Sequence, residues 1–336
     1  GELVVDLMGG FSDAARTTPF GPNTLTPIFS TTKLIAALMT ARLVDQGLIT
    51  YDTAVAEVWP EFGQAGKEPV TLGQMMSHQA GLPGLVPPAE PDIWFDPPTV
   101  CEQLAAQAPL WPLGTGSGYH PITIGYLAGE VFRRLEGRSL GAAFRQDIAE
   151  PLGLDIWIGL PDSEHGRVAQ MRKPPAAPDL GIIDDIKRAA FLDRGSAPGG
   201  RGSADWRRIE IPSANGHATA QGLARLMSAV SGDGTLDGQA ILSPETLKSL
   251  LAERVRGPDK VLPFDLVWAA GPMRNSRVNG LGPGEQAVGH YGWGGSMAMA
   301  DPARRLSVAY VMNKQSVHLV ADPRPVALIE ALYTAV

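Results

Sequence analysis

The chain has 336 residues, 44% of them hydrophobic and 19% charged, enough to bury a sizeable core as one large or two interleaved domains. A net charge of −7 and the lack of any Lys/Arg cluster argue against a nucleic-acid partner. A single cysteine, Cys101, excludes an internal disulfide framework and a thiolate metal site, and no apolar run reaches the ~18–20 residues of a membrane span.

Residues 1–12 ("LVVDLMGGF" within them) read as a β-strand or hairpin. The chain starts without an initiator Met and already inside this run, which leaves room for a leading segment or a removed export signal; a cytoplasmic location is the working expectation. Next, "FSTTKLIAALMTARLVDQGLI", Phe29 to Ile49, repeats apolar residues at three- and four-residue steps and predicts an amphipathic helix that stops at Gly47. Further helices are expected at "VTLGQMMSH", "TVCEQLAAQ", "ITIGYLAGEVFRRLEG" and "LGAAFRQDIAEPLGL", with Cys101 as helix packing. The stretch 171–215 lacks apolar periodicity and is expected to be a loop-rich excursion, a lid or pocket wall. From 217 two more helices follow, then strand-like runs at "VWAAGPM", "AVGHYGW", "SMAMADP" and "LSVAYVMN", and a closing helix "PVALIEALYTAV". Strands at both ends with helices between imply an α/β (α+β) sheet domain, 1–24 with 216–336, split by a helical insertion, 25–215.

Three segments carry chemistry. In Ser30-Thr-Thr-Lys33 the serine stands one helical turn before a lysine, so both side chains rise on one face; taken alone, such a tetrad is in most proteins an N-cap with a lysine snorkelling to solvent. Tyr119-His120-Pro121 closes a Gly-rich loop before a helix. His290-Tyr291-Gly292-Trp293 lies on a strand-like run. A fourth motif, Gly137-Arg-Ser139-Leu-Gly141, matches the nucleophile elbow G-x-S-x-G. An elbow must join a strand to a helix, however, and both flanks here read as helical, so Ser139 is expected to be an N-cap. The remaining histidines show no metal-ligand spacing, and neither a metal nor another cofactor is expected.

The order S-x-x-K, Tyr about ninety residues on, then a strand carrying [K/H/W]-x-G resembles the serine β-lactamase and penicillin-binding-protein superfamily, and most nearly its family VIII carboxylesterases. "TLGQMMSHQAGLPG", "YHPITIGYLAGEV", "IPSANGHATAQGLARL" and "GHYGWGGSMAMADP" are similar to stretches of these esterases, so the likeness spans nearly the whole chain. It implies an antiparallel sheet flanked by helices with a large, mainly helical insertion, and the active site between the two parts. By resemblance Ser30 is the nucleophile, Lys33 and Tyr119 its proton acceptors, and the backbone amides of Ser30 and Trp293 the oxyanion hole; His120, His290, Tyr291, Gly292 and Trp293 meet the substrate. The family also implies a leading helix beside the C-terminal one, so Pro325–Val336 is expected to lie on the sheet with one flank under-covered, or a leading segment to be missing.

The implied activity is hydrolysis of small, short-chain carboxylic esters through an acyl-enzyme. Two departures set it apart from penicillin-directed members: Pro121 replaces the usual asparagine, and His290 the usual lysine. The rival readings are a β-lactamase, D,D-peptidase or acyltransferase on the same scaffold, and a catalytically silent relative that binds an acyl or peptide ligand.

Overall fold

The computed structural model describes residues 1–335. Its main sheet is a six-stranded antiparallel meander in which spatial order follows chain order: β1 (Val255–Pro258), β2 (Asp265–Trp268), β3 (Met273–Arg274), β4 (Val288–Tyr291), β5 (Met297–Asp301) and β6 (Leu306–Tyr310). The sequences of β4 and β5, "VGHY" and "MAMAD", are small or apolar throughout, and every residue in them is buried; strands covered on both faces read as continuous rather than alternating runs. In the register of these two strands His290 lies opposite Ala298.

The helices are α1 (Lys33–Asp45), α2 (Leu72–Met76), α3 (Pro97–Ala106), α4 (Thr123–Glu136), α5 (Leu140–Phe144), α6 (Ala204–Arg208), α7 (Ala220–Ser231), α8 (Pro244–Leu251) and α9 (Pro323–Ala335), and all but α6 fall on expected helical segments. Cys101 is buried in α3 as packing. Helix α7 is capped by Thr219, whose hydroxyl accepts from the Gly222 N–H. It buries Leu223, Leu226, Met227 and Val230, the three- and four-residue steps of one face, against β5 and β6.

Three expectations are corrected. The first concerns α1, which is not amphipathic: residues 33–41 and Leu43 are all buried, because α4, α5, α8 and β4 surround it. Its apolar residues mark a central helix, and it begins at Lys33 behind a 3₁₀ turn, Phe29–Thr32.

The second concerns residues 1–9, which form no strand, with Leu3, Val4, Val5, Leu7 and Met8 exposed. An extended run is a strand only when a neighbour completes its ladder, and the half-buried edge strand β6 is not joined to it. The first bridge is Phe11 to Pro19, so 1–24 adds nothing to the sheet, whose six strands lie within 255–310. A strand the periodicity did not suggest, β1, occupies one edge instead.

The third correction concerns the excursion, which carries helical turns at 185–192 and α6. A small antiparallel sheet ties its far end to the segment leading into Ser30, Thr26–Pro27 and Ile156–Trp157 each pairing with His217–Ala218.

Helix α9 packs a single stripe inward. Pro325 and Ile329 are buried and Leu328 is exposed, while the Tyr333 hydroxyl donates to Asp301 at the end of β5. Val336 lies outside the described residues.

Candidate active site

The polypeptide reaches Ser30 through an uncommon backbone turn. Phe29 has φ +46°, a left-handed conformation rarely adopted by a bulky residue. Three contacts hold the turn: Ile28 N–H donates to the Gly216 carbonyl (2.8 Å), Gly216 N–H donates to Thr32 Oγ1 (2.9 Å), and Ser296 Oγ donates to the Ile28 carbonyl (2.7 Å). Ser296 follows the His290–Trp293 run, so that loop is fastened directly to the segment that carries Ser30. Gly292 fits against the same carbonyl, and a Cβ there would lie 2.1 Å from the Ile28 oxygen. Only glycine permits this approach.

Lys33 does not snorkel. It is 2% exposed, and its Nζ lies 3.1 Å from Ser30 Oγ, 2.7 Å from the Pro121 carbonyl and 2.9 Å from the Ser213 carbonyl. No carboxylate among the described residues forms an ion pair with it, and burial drives its pKa well below the ordinary 10.5 because an ammonium without a counter-ion is costly in a low dielectric. As a neutral amine it has two N–H bonds for the two carbonyls and one lone pair, which then faces the Ser30 hydroxyl.

Tyr119 is buried with its ring 4.8 Å from Lys33 Nζ. Burial raises its phenol, the hydrogen bond with Ser30 pulls the other way, and the Asp259 charge adds to the rise. The net direction keeps Tyr119 protonated at neutral pH.

The tyrosine is held by groups that sequence motifs did not single out. Its N–H donates to Asp259 Oδ1 (2.8 Å), and the ring stacks 5.8 Å from Trp268 at an interplanar angle of 6°. The buried Asp259 carboxylate also accepts from Ser117 Oγ, from the Val261 and Leu262 amides and from Trp268 Nε1. On the other side His78, at φ +63°, brackets Tyr119: its carbonyl accepts from Gly118 N–H (2.9 Å) and its Nδ1 from His120 N–H (3.2 Å). His78 falls inside a family-like phrase, but "GPDKVLPF", which holds Asp259, reads as a polar turn and gives no signal.

His120, expected to meet substrate, turns away from the cleft. Its Nε2 accepts from Leu82 N–H (3.0 Å) and its Nδ1 faces the Gly118 carbonyl (2.6 Å), so both nitrogens are spent inside the protein. His290, Tyr291 and Trp293 do line the cleft. His290 Nδ1 lies 2.7 Å from the Tyr291 carbonyl, which assigns the proton to Nδ1 and leaves Nε2 a bare acceptor without an internal partner. Burial first, and Lys33 second, push its pKa down to about 3; the ring is neutral. Among the described residues neither the Ser30 nor the Trp293 amide has a backbone acceptor, which for Ser30 is the rule for the first N–H groups of a helical turn.

The cleft has a volume of about 200 Å³, and beside Ser30 and Tyr119 its walls are mainly apolar, with Phe29, Phe191, Trp206, Leu262, Met273 and Trp293 prominent. Phe191 and Trp206 come from the 171–215 excursion. Trp94 and Trp111 pack in the interior away from it, against Tyr126 and His120 respectively.

Ser139 is an N-cap. Its Oγ accepts from Ala142 N–H (3.3 Å) and donates to Glu210 Oε1 (2.7 Å), and Gly137 before it ends α4 in the left-handed conformation. Among the described residues no group of His, Cys, Asp and Glu could hold a metal ion, and no helix is long and apolar enough to cross a membrane.

An interior strand of the antiparallel sheet that leads into the Gly292–Ser296 loop, a helical region that buries Lys33, and a cleft between them define the β-lactamase/transpeptidase-like architecture of serine hydrolases. The chain belongs to the beta-lactamase family, whose model matches residues 1–332. It is similar to a penicillin-binding-protein homologue from Caulobacter crescentus, with 58% identity, TM-score 0.96, and 98% of this chain and 88% of that one covered. It is also similar to a family VIII carboxylesterase structure, at 38% identity, TM-score 0.91 and the same coverage. Among curated relatives, the esterase/beta-lactamase LipL of Mycobacterium tuberculosis is 35% identical over 94% of this chain and 75% of its own length.

Proposed function

We propose that this hydrolase is a carboxylesterase that cleaves short-chain carboxylic esters through an acyl-enzyme on Ser30. The observation that carries the reading is the Ser30–Lys33 pair, a hydroxyl 3.1 Å from a fully buried amine without a counter-ion. A serine is a poor nucleophile until a base in hydrogen-bond reach takes its proton. Burial makes Lys33 easier to deprotonate and Tyr119 harder, so the direction of the two shifts favours Lys33 as the first proton acceptor. The Ser30 oxygen then bonds to the ester carbonyl carbon. Its carbonyl oxygen becomes an oxyanion received by the Ser30 and Trp293 amides. As the tetrahedral species collapses, the C–O bond to the alcohol breaks, and the Tyr119 phenol delivers a proton to the departing oxygen while Lys33 restores the proton of Tyr119. A water molecule repeats the sequence on the acyl-enzyme and frees the acid.

The name of the Caulobacter structure favours a penicillin-directed reading, and His290 and Pro121 speak against it. A β-lactam carboxylate placed at His290 would meet the bare Nε2 of a neutral ring rather than an ammonium, and Pro121 has no side-chain group for an acyl amide. Losing one charge-assisted contact is worth ~1.5–3 kcal/mol, a factor of roughly ten to over a hundred. Turnover of p-nitrophenyl butyrate beside nitrocefin, with Ser30→Ala as control, tests the proposal. The expected ratio of kcat/KM is at least ~100 in favour of the ester; similar values would favour the β-lactamase reading.

A further inference from the structure

One cation of the cleft has no place in the mechanism above. Arg201 lies in the excursion, with Gly199 and Gly200 before it and Gly202, Ser203 and α6 after it, and it shares the cleft wall with Ser30. Its guanidinium carbon stands 5.7 Å from the centre of the Phe29 ring, the residue next to Ser30. Phe29 is backed in turn by Trp206, with ring centres 6.3 Å apart. No carboxylate forms an ion pair with Arg201 among the described residues, and its guanidinium has no hydrogen-bond partner there. Of the other arginines in the excursion, Arg194 pairs with Glu90 and Arg208 with Asp162 and Asp205, while Arg207, whose Nε is buried without a partner, does not line the cleft. The other side chains on the cleft wall are apolar, hydroxyl-bearing, or the neutral His290.

A planar cation stacked on an aromatic face is held in orientation while its N–H edge stays free. That edge suits bidentate contact with a carboxylate. Small-molecule sites take their specificity from a few polar groups set among apolar walls. We infer that Arg201 selects ester substrates carrying a carboxylate, with the scissile carbonyl on Ser30 and the anionic group paired to the guanidinium. The site is separate from the position at which penicillin-directed members carry their lysine: Arg201 stacks on Phe29, whereas His290 packs against Tyr119 and Trp268. This inference rests on the carboxylesterase reading.

Two matched pairs of substrates test it and tell which half of the ester bears the charge. On the acyl side, mono-p-nitrophenyl glutarate is compared with p-nitrophenyl valerate; on the alcohol side, 4-acetoxybenzoate is compared with phenyl acetate. In the wild type the charged member of one pair is expected to be used at least as well as its neutral partner, with the preference falling as salt is raised. Arg201→Gln is expected to lower that charged-to-neutral kcat/KM ratio by about 10- to 100-fold, and Arg201→Lys to restore part of it. If neither ratio responds to Arg201→Gln, the inference is wrong. Should that variant not fold, the wild type decides alone: neutral partners preferred more than about tenfold in both pairs, regardless of salt, overturn the inference. Wild type that turns over none of the four esters would instead sink the carboxylesterase reading itself.

Discussion

Ser30 and Ser139 each sit in a short pattern associated with a nucleophilic serine, and their surroundings separate them. Around Ser30 the backbone is held in a left-handed turn at Phe29, a buried amine lies 3.1 Å from the hydroxyl, and an apolar cleft opens beside it. Ser139 also has two partners, yet they are an amide and a carboxylate that finish a helix start and tie it to Glu210. That carboxylate is itself held by the Gly141 amide, and Ser139 does not line the cleft beside Ser30. A nucleophile is therefore defined by what desolvates and deprotonates it, and a pattern of spacings finds it only where the fold supplies those groups.

The largest effect expected from this contrast is on turnover. Ser30→Ala should lower ester hydrolysis by several orders of magnitude, whereas Ser139→Ala should leave it within about twofold, both read as kcat/KM for p-nitrophenyl butyrate. Activity lost in the second variant and kept in the first would reverse the comparison.

Next in size is the coupling between Lys33 and Tyr119. If one proton moves through both, Lys33→Ala and Tyr119→Phe should each cost several orders of magnitude in kcat, and the double variant little more. Multiplicative losses would show two independent groups.

The state of Lys33 gives a smaller and independent signal in stability. In the unfolded chain it titrates near the ordinary 10.5, and burial lowers it well below that in the fold. Between the two values the unfolded chain binds a proton that the native one does not. Stability therefore rises with pH across that window by about 1.4 kcal/mol per pH unit and levels off above 10.5. Lys33→Met removes this slope, so the wild-type stability minus that of the variant should grow with pH on the approach to 10.5 and stop growing above it. A difference independent of pH would mean that Lys33 stays charged in the fold.

The smallest effect returns to Ser139. Losing an N-cap hydroxyl costs about 0.5–2 kcal/mol, so Ser139→Ala should lower stability by that amount in urea unfolding. A cost of zero would remove the capping role and reopen the motif.

The uneven legibility of the sequence has physical causes. The Ser30–Lys33 spacing could be read because a helix fixes which side chains share a face, whatever surrounds it. Tyr119 and the His290–Trp293 run were legible through family-like order. That α1 is buried on all sides could not be read, since periodicity reports apolar residues and not how many neighbours cover them. The run at 1–9 has the composition of a strand, but its state depends on a ladder partner elsewhere in space. His120 looked available beside Tyr119, and only the packing of Leu82 and Gly118 shows both ring nitrogens occupied. Asp259 was invisible for a similar reason: a carboxylate in a polar turn reads as solvated until five donors close around it.

The most direct test of the central claim is to quench the enzyme with acid during steady turnover of p-nitrophenyl butyrate and locate the acyl group by peptide mass mapping. One butyryl group on the peptide containing Ser30, absent from the Ser30→Ala variant, is the predicted result. An acyl group on Ser139, or turnover that persists in Ser30→Ala, would contradict it.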